Sequence, residues 1–552
     1  MKALVALAVL LTCRLASLPA QQDTTHYTHA DTLRGANGPA RAWWDATFYD
    51  LHVRVNPADS TIRGRNGITY RVLTAPPTRE MQIDLQVPME VDSVVQGRRK
   101  LSYRRDGNAF FVTLPTTQRV GEVRTVTVWY HGTPKVARRP PWDGGFTWAR
   151  DSSGATWIAT TDEGLGASVW WPVKDDLADE PDSQRIAVTV PDAIVDVSNG
   201  RLRSTTPNGD GTTTYEWFVV SPINSYNVEV NAGRYAHFSD TLTGESGRLT
   251  LDFWPLADNL AAARRQFVQV RPMLQCFERW FGPYPWYEDG YKLIETPHLG
   301  MEHQSGVAYG NHYQNGYLGR DLSRTGLGLQ WDFIIIHESA HEWWGNNISA
   351  RDHADMWVHE SFANYAEAIY TECLLGKSAG AAYVVGTRRG IRNDSPIIPA
   401  FGVNSQRGSG DMYPKGGNML HTIRAIVDDD ARWRGILRGL NQTFRRQTVS
   451  GQQVRDYISR EAGVDLGKVF EQYLTTTRIP AFEFKVEGST LSYRWANVVA
   501  GFDMPLKVSV PGLGTQLLRP TEAWQTISVT SPQAADLAVD ENFYVTQRRV
   551  QP

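Results

Sequence analysis

Residues 334–344 read IIIHESAHEWW, and Glu360 follows His341 after a gap of eighteen residues. If this segment is helical, His337 and His341 lie one turn apart on one face, close enough to bind the same metal ion. Glu338 lies beside that ion rather than on it, where its carboxylate can act as a base. Glu360 supplies a third ligand, and three protein ligands leave a fourth position open for water. The stretch therefore predicts one catalytic Zn²⁺ per chain.

Length and composition limit the possible partners of the chain. With 552 residues, 41% of them hydrophobic, the sequence suggests roughly two to four compact domains. The formal net charge is only -3, and Lys and Arg are scattered, so neither a nucleic acid nor an anionic membrane is indicated. After the first residues, no run approaches the roughly 20 apolar residues of a membrane helix. We expect no nucleic-acid partner and no stable membrane insertion, and the oligomeric state is left open.

The first twenty residues resemble an export signal. Lys2 precedes an apolar stretch over 3–11, and the small residue Ala20 comes before two Gln, so residues 1–20 are predicted to be a signal peptide cut near Ala20. The mature protein is then secreted or periplasmic, and a lipoprotein anchored through Cys13 is the alternative. Cleavage leaves only Cys276 and Cys373, too few for a disulfide framework, and we expect two buried thiols.

Alternating apolar and polar residues mark the first part of the chain as β structure. Residues 49–56 alternate strictly, which is the period of a strand with one buried face. Similar runs occur at 68–72, 83–87 and 126–130, separated by clusters rich in Pro, Gly, Asn and Asp. This pattern predicts an N-terminal antiparallel β domain over 24–235.

The pattern changes near residue 256, where apolar residues begin to recur at spacings of three and four. A short strand is predicted at 291–295, and helical patterns run through the zinc motif and through 256–281, 361–375, 415–427 and 454–473. Alternation returns beyond Pro480. The sequence therefore predicts a multidomain α+β protein, with a mixed α/β catalytic domain over 236–478 and a small β domain over 479–552.

Two further motifs flank the zinc motif. Gly300-Met301-Glu302-His303 precedes it and Tyr413-Pro414-Lys415-Gly416 follows it. Together with His-Glu-x-x-His, eighteen residues and Glu, they resemble the aminopeptidase N and leukotriene hydrolase family of gluzincin zinc metallopeptidases. Landmarks of that family's N-terminal domain are also matched, by Trp170-Trp171-Pro172, Asp179-Glu180-Pro181-Asp182 and Ser198-Asn199-Gly200. The resemblance covers nearly the whole chain.

The resemblance implies a thermolysin-like catalytic domain followed by a C-terminal β-sandwich. The sequence ends after this small β domain, whereas many members of the family continue into a large helical domain that caps the cavity. We therefore expect no large helical cap. Either the site is more open and could admit longer peptides, or another subunit supplies the missing cover.

The motifs also imply roles for individual residues. Zinc lowers the pKa of bound water towards about 7, and Glu338 takes the proton of that water and returns it to the departing amine. The phenol of Tyr413 is expected to stabilise the oxyanion of the attacked carbonyl. Pro414 supports this position for Tyr413, because the residue before Pro avoids helical conformation and Pro suits the first helical position.

The segment around Glu302 is expected to bind substrate. A free α-amine is mostly protonated at neutral pH and can pair with the fixed carboxylate of Glu302. Gly300, Met301 and His303 belong to the same substrate-binding segment, although His303 stands where the family signature has Asn. By the resemblance, Glu163 is a second carboxylate for the amine, contributed by the β domain. His353 and His359, in contrast, are expected to be ordinary hydrogen-bonded side chains.

These observations favour a secreted zinc aminopeptidase that acts on peptides with a free N-terminus. One alternative is a thermolysin-like endopeptidase, which the missing helical cap suggests. Another is a non-catalytic binding module in which the β domains carry the function.

Overall fold

The structure, a computed structural model, describes residues 26–404, 408–530 and 532–551. The predicted signal peptide at 1–20 and Cys13 lie outside the described residues. A short helix, α1 (His29–Gly35), comes first and is followed by fifteen strands. The strands are β1 (Trp44–Asn56), β2 (Thr61–Val72), β3 (Glu80–Asp84), β4 (Glu90–Gln96), β5 (Arg99–Leu101), β6 (Tyr103–Asp106), β7 (Ala109–Thr113), β8 (Val123–Gly132), β9 (Gly145–Arg150), β10 (Thr156–Thr161), β11 (Ser183–Pro191), β12 (Val195–Val197), β13 (Arg201–Pro207), β14 (Thr212–Val219) and β15 (Asn231–Gly233).

An eight-stranded sheet dominates this first part, in the order β13-β14-β11-β1-β2-β8-β4-β5. Alternate residues of β1, such as Leu51, Val53 and Val55, are buried, as their spacing predicts. Nearly all neighbours are antiparallel, but β1 pairs with β11 in parallel. Smaller sheets of order β12-β15-β10-β9 and β3-β7-β6 complete the β structure, whose core includes Trp43, Trp170 and Trp171.

The second part combines helices with one mixed sheet. Its five strands lie in the order β16-β17-β18-β20-β19, with β17, β18 and β20 parallel to one another. The elements are β16 (Phe238–Gly244), β17 (Gly247–Trp254), α2 (Leu260–Gln266), α3 (Val270–Phe281), β18 (Tyr291–Glu295), β19 (Gly300–Met301), β20 (Val307–Tyr309), α4 (Phe333–Ala340), β21 (Ile348–Ala350), α5 (Trp357–Leu375), α6 (Lys377–Thr387), α7 (Pro414–Val427), α8 (Asp430–Thr443), β22 (Gln447–Val449), α9 (Gly451–Ala462) and α10 (Gly467–Thr475). The strand expected at 291–295 is β18.

The continuous helix expected over 454–473 is wrong, because two helices cover that range. Gly463 follows α9 in the left-handed region at φ 65°, where a residue without Cβ is favoured, and α10 begins four residues later. The apolar spacing continues across this break, because both helices bury one face in the same core. The sequence period therefore shows no interruption.

Helices α5 and α7 pack so closely that side chains of α5 leave no room for a Cβ on the facing residues of α7. A Cβ at Gly416 would overlap the Ser361 hydroxyl, and one at Gly417 would overlap the Asn364 side chain. The Gly pair is therefore required because these α5 side chains pack directly against the backbone of α7. Because Tyr413 immediately precedes α7, this contact brings its side chain against α5.

The last part of the chain forms two small sheets, of order β27-β24-β23-β29 and β26-β25-β28. They contain β23 (Ala481–Glu487), β24 (Thr490–Ala496), β25 (Leu506–Val510), β26 (Gly514–Leu518), β27 (Gln525–Ser528), β28 (Ala538–Val539) and β29 (Thr546–Arg549). The chain is thus a multidomain α+β protein, as predicted. Among the described residues, no helix has both the length and the apolar character needed to span a bilayer.

Cys276 and Cys373 form a disulfide, so the expectation of two free buried thiols is wrong. The bond joins α3 to α5, two helices that pack side by side although 97 positions separate the cysteines. Sequence distance gave no indication of this neighbourhood. The loop closed by the bond contains His337, His341 and Glu360.

Candidate metal centre and active site

Helix α4 presents the two histidines. Asp332 caps it by accepting hydrogen bonds from the backbone N–H groups of Ile334 and Ile335 at 3.1 and 3.4 Å. The helix is shorter than the segment suggested, because it ends at Ala340, but His341 retains helical backbone angles. Both rings therefore lie on the same face, as the spacing predicts.

Each histidine is oriented by a hydrogen bond from its other ring nitrogen. His337 Nδ1 donates to Glu367 Oε1 at 2.8 Å, and His341 Nδ1 donates to the Trp344 carbonyl at 2.8 Å. The Nε2 atoms of both rings then face Glu360 Oε2, each at 3.5 Å. Such second contacts fix the tautomer and the direction of metal-binding imidazoles.

The residues fit a zinc ion. A tetrahedral ion with bonds of about 2.0–2.2 Å separates its ligand atoms by about 3.4 Å, close to the 3.5 Å separations found here. Glu360 Oε2 is buried and has no hydrogen-bond partner among the described residues, as expected of an oxygen reserved for a cation. His337, Glu338 and His341 also offer ligand atoms within 4.8 Å of one another. Two imidazoles and one carboxylate form a donor set typical of catalytic zinc.

The side chain of Glu338 extends from α4 towards strand β19. A Cβ at Gly300 would come within 2.8 Å of both Glu338 Oε1 and Ile334 Cγ2, so only glycine leaves room for this carboxylate. Burial raises the pKa of Glu338 to about 7, against the opposing charges of His337 and His341. A group that titrates near neutral pH can both accept and return a proton.

The phenol of Tyr413 points at the metal centre from the opposite side. Its hydroxyl donates to Glu360 Oε1 at 2.8 Å, and its ring lies 6.0 Å from that of His337. Helix α7 begins at Pro414, which leaves Tyr413 outside the helix, as the sequence predicts. Burial, followed by the charges of Glu360 and Glu163, raises the pKa of Tyr413 well above 10, so the phenol remains a donor at neutral pH.

A group of carboxylates lies beside the metal centre. The Glu302 carboxylate accepts a hydrogen bond from the Tyr226 hydroxyl at 3.1 Å, and it borders the same cavity as Glu163. Burial and the charges of Glu302 and Glu163 raise the pKa of Tyr226 well above 10. Gly300 and Met301 also line this cavity.

His303 does not line that cavity, contrary to its predicted place among the substrate-binding residues. Its ring is completely buried, and its Nδ1 lies 2.8 Å from Glu229 Oε2. The side chain following Glu302 therefore points into the interface with the β domain. Sequence comparison of the motif alone could not show this, because Glu229 is 74 positions away.

The β domain also holds the loop that carries Glu302. The carbonyl of Gln304 accepts from Asn199 Nδ2 at 2.9 Å, and the N–H of Gly200 donates to Ser305 Oγ at 2.9 Å. From the catalytic side, Asn346 Nδ2 donates to the Glu302 carbonyl at 2.9 Å. The Ser198-Asn199-Gly200 motif of the β domain thus contacts the loop that carries Glu302 directly.

The carboxylates and the metal centre surround a cavity of about 430 Å³. Much of the remaining wall is apolar, and it consists of Pro141, Trp142, Leu299, Met301, Tyr317, Leu322, Phe333 and Ile334. Trp142 comes from the loop between β8 and β9 and is 56% exposed. The walls of the cavity are therefore shared by both domains.

His353 and His359 remain outside the metal centre, as expected. The Nε2 atom of His359 accepts from the N–H of Ala350 at 2.8 Å. Glu367 and Tyr226 also belong to the site, although neither was predicted from the sequence. Glu367 could have been found, because it follows Glu360 by seven positions on the same helix face. Tyr226 gave no such signal.

A pair of imidazoles on one helix, a carboxylate on the next helix and a mixed sheet at the cavity edge form the kind of zinc centre that the sequence motifs predict. Residues 269–473 match the family model described as "Peptidase family M1 domain". This match, within the segment that contains the zinc motif, confirms the predicted resemblance to the gluzincin aminopeptidases. Zn²⁺ is the cofactor that this family match and the donor set indicate.

Several known proteins are similar to the chain. The "Probable aminopeptidase 1" of Sulfurisphaera tokodaii is 22% identical over 57% of this chain and 41% of its own length. Aminopeptidase N of Lactobacillus helveticus is 24% identical over 47% of this chain and 34% of its own length. The chain thus spans about two fifths or less of the length of these relatives.

Solved structures share the fold. An M1 zinc metallopeptidase from Deinococcus radiodurans has a TM-score of 0.68 and 20% identity, covering 80% of this chain and 96% of that chain. A mutant of that enzyme, with the same TM-score, identity and coverage, was solved bound to a Tyr-Ser-Ala substrate.

Proposed function

We propose that the protein is a zinc-dependent aminopeptidase that removes the N-terminal residue from peptides. The observation that carries the proposal is one cavity in which a three-ligand metal centre lies beside Glu302 and Glu163. The metal centre would act on the scissile carbonyl while the carboxylates bind the α-amine. This arrangement would fix the cleavage site one residue from the N-terminus.

His337, His341 and Glu360 would hold the zinc ion. Zinc supplies Lewis acidity and lowers the pKa of a water molecule at this position. Glu338 would take the proton of the attacking water and deliver it to the leaving amine, from a position fixed by its contact with Gly300. The Tyr413 hydroxyl would donate to the oxyanion, instead of to Glu360 as it does here.

The protonated amine would pair with Glu302, whose carboxylate is buried and oriented by Tyr226. Glu163 would supply the second negative charge from the β domain. Charge-assisted hydrogen bonds are roughly twice as strong as neutral ones, so two carboxylates give a strong preference for a free N-terminus.

Export is part of this proposal. The disulfide between Cys276 and Cys373 supports an oxidising compartment, since such bonds are rare in reducing ones. A secreted or periplasmic protein cut near Ala20 agrees with the export signal expected from residues 1–20. Sequencing the N-terminus of the mature protein tests this directly.

The activity is tested with matched peptides that carry either a free or an acetylated N-terminus. We expect release of one residue at a time from the free peptide, no release from the acetylated one, and loss of activity with a chelator. The control is Glu338→Gln, which should retain zinc and lose turnover. Equal cleavage of both peptides, or cuts at internal bonds, would favour the endopeptidase alternative.

A further inference from the structure

A short N-terminal segment packs behind the proposed amine-binding site. We call residues 29–36 the N-terminal arm; it consists of α1 and Ala36. The arm lies between the loop of residues 163–166 and residues 403–404 of the catalytic part. It therefore contacts both domains beside the cavity.

Arg34 makes the contacts between the arm and these two segments. Its NH2 group donates to the Gly164 carbonyl at 3.3 Å and to the Asn404 carbonyl at 3.4 Å, and its NH1 group lies 3.6 Å from Asp175 Oδ2. The side chain is almost completely buried. Gly166 has φ 82°, and a Cβ there would overlap both the Arg34 guanidinium and the Asp175 carboxylate. The guanidinium thus lies against the backbone of the loop.

The arm is itself held firmly. A capping box between Thr28 and Asp31 begins α1, and the guanidinium of Arg41 binds the carbonyls of Leu33, Arg34 and Ala36 at its end. Arg41 is also paired with Asp84 at 3.0 Å. Because both ends of the helix are satisfied, Arg34 projects from a fixed support.

The catalytic domain is joined to the arm by backbone contacts. The N–H of Asn404 donates to the Asp31 carbonyl at 2.9 Å, and its side chain donates to the Ala30 carbonyl at 3.2 Å. A Cβ at Gly35 would overlap the backbone of Asn404. The arm therefore connects the loop of residues 163–166 to the catalytic domain.

Glu163 lies between this arm and the catalytic cavity. It borders the cavity of about 430 Å³ and also a small cavity of about 20 Å³ whose walls include Arg34, Gly35 and Tyr226. The Gly164 carbonyl, which Arg34 binds, belongs to the next residue along the chain. A shift of that carbonyl would move the Glu163 backbone with it.

We propose that Arg34 is a positioning residue that fixes Glu163 for binding of the substrate amine, acting through Gly164 and Asp175. This inference rests on the aminopeptidase function proposed above. Without the guanidinium, the Gly164 carbonyl loses a hydrogen-bond donor and the buried Asp175 carboxylate loses an ion pair. Gly164 and Gly166 then give the loop the freedom to move. Discrimination for a free amine should then decline while the metal centre is unchanged.

The experiment compares an aminoacyl arylamide with its des-amino analogue, which has the same side chain but lacks the amine. The measured quantity is the ratio of their kcat/KM values. Arg34→Ala should lower this ratio about tenfold, the effect of losing one charge-assisted contact. The loss should come from a higher KM for the amine substrate, with kcat and zinc content close to the wild-type values.

A double-mutant cycle separates this role from a general structural one. If Arg34 acts through Glu163, then Arg34→Ala should add little to Glu163→Gln, since the two changes remove the same contact. Arg438→Ala is the matched control, because Arg438 also joins a carboxylate, Glu245, to a backbone carbonyl, that of Glu278. This control should leave the ratio unchanged.

Full discrimination in a folded Arg34→Ala variant, or additive effects in the cycle, would overturn the proposal. If that variant does not fold, Arg34→Lys decides, because an ammonium group lacks the fork that reaches both partners. The ratio should then decrease by several fold, and an unchanged ratio would refute the role. Equal wild-type kcat/KM values for both substrates would instead refute the proposed function, and the role of Arg34 with it.

Discussion

Replacement of Glu367 should weaken zinc binding although Glu367 is not a ligand. This carboxylate is completely buried. Its Oε1 atom accepts hydrogen bonds from His337 Nδ1 at 2.8 Å and from Asn364 Nδ2 at 3.1 Å, and its Oε2 atom accepts one from the Tyr383 hydroxyl at 2.7 Å. Three donors from three different side chains therefore converge on one group, which sets the orientation of the His337 ring.

The expected magnitude depends on how many of these contacts survive. Loss of a hydrogen-bond partner of a metal-binding histidine typically costs 10- to 100-fold in metal affinity. Glu367→Gln keeps an acceptor for His337 but loses the charge, so we expect about a tenfold weaker affinity, or about 1.4 kcal/mol. Glu367→Ala leaves all three buried donors without their acceptor, and we expect about 100-fold.

Zinc affinity is measured by competition with a chelator of known affinity, and activity is followed at buffered free zinc. Both variants should need more zinc for half-maximal activity and should recover most of kcat at saturation. The control is Glu372→Gln on the same helix, which removes an ion pair with Arg424 far along the chain from the ligands. The Glu372→Gln control should bind zinc as tightly as the wild type. If Glu367→Ala did so as well, Glu367 would not position His337 for zinc binding.

Three further changes test other parts of the site. Gly300→Ala should lower kcat about 10- to 100-fold, because its methyl group displaces Glu338, whereas Gly38→Ala, where nothing lies within 4 Å, should be silent in the same assay. Tyr413→Phe should lower kcat by about 10²–10³ with normal zinc content, and an unchanged kcat would exclude the phenol as oxyanion donor. Cys373→Ser opens a loop of 97 residues and should reduce the free energy of unfolding by up to about 4.7 kcal/mol, measured by urea denaturation. A reductant should destabilise the wild type but not this variant.

The metal centre could be predicted because its geometry is local. His337 and His341 share a face through helix periodicity alone, and Pro414 fixes the helix start beside Tyr413. The strand β18 was likewise predicted at its observed bounds, because the segment is too short for a helix and is flanked by Gly290 and Pro297. In these places the neighbouring residues determine the structure.

Features that depend on distant pairs could not be predicted. The partner of His303 is Glu229 from the other domain, so the motif suggested a cavity residue where the structure has a buried pair. Cys276 and Cys373 become neighbours only when α3 packs on α5. The helix pattern over 454–473 concealed the break at Gly463, because the apolar period continues across it.

The glycine contact between α5 and α7 allows the alignment of the reactive groups and the selectivity of the cavity wall to vary independently. It holds the start of α7, next to Tyr413, against the helix that carries Glu360. Several wall residues, such as Trp142 and Leu322, belong to segments outside both helices. The distances between the reactive groups are therefore fixed by the packing of these two helices. Substitutions of the wall residues can therefore change the selectivity for the substrate side chain without moving the groups that carry out the chemistry.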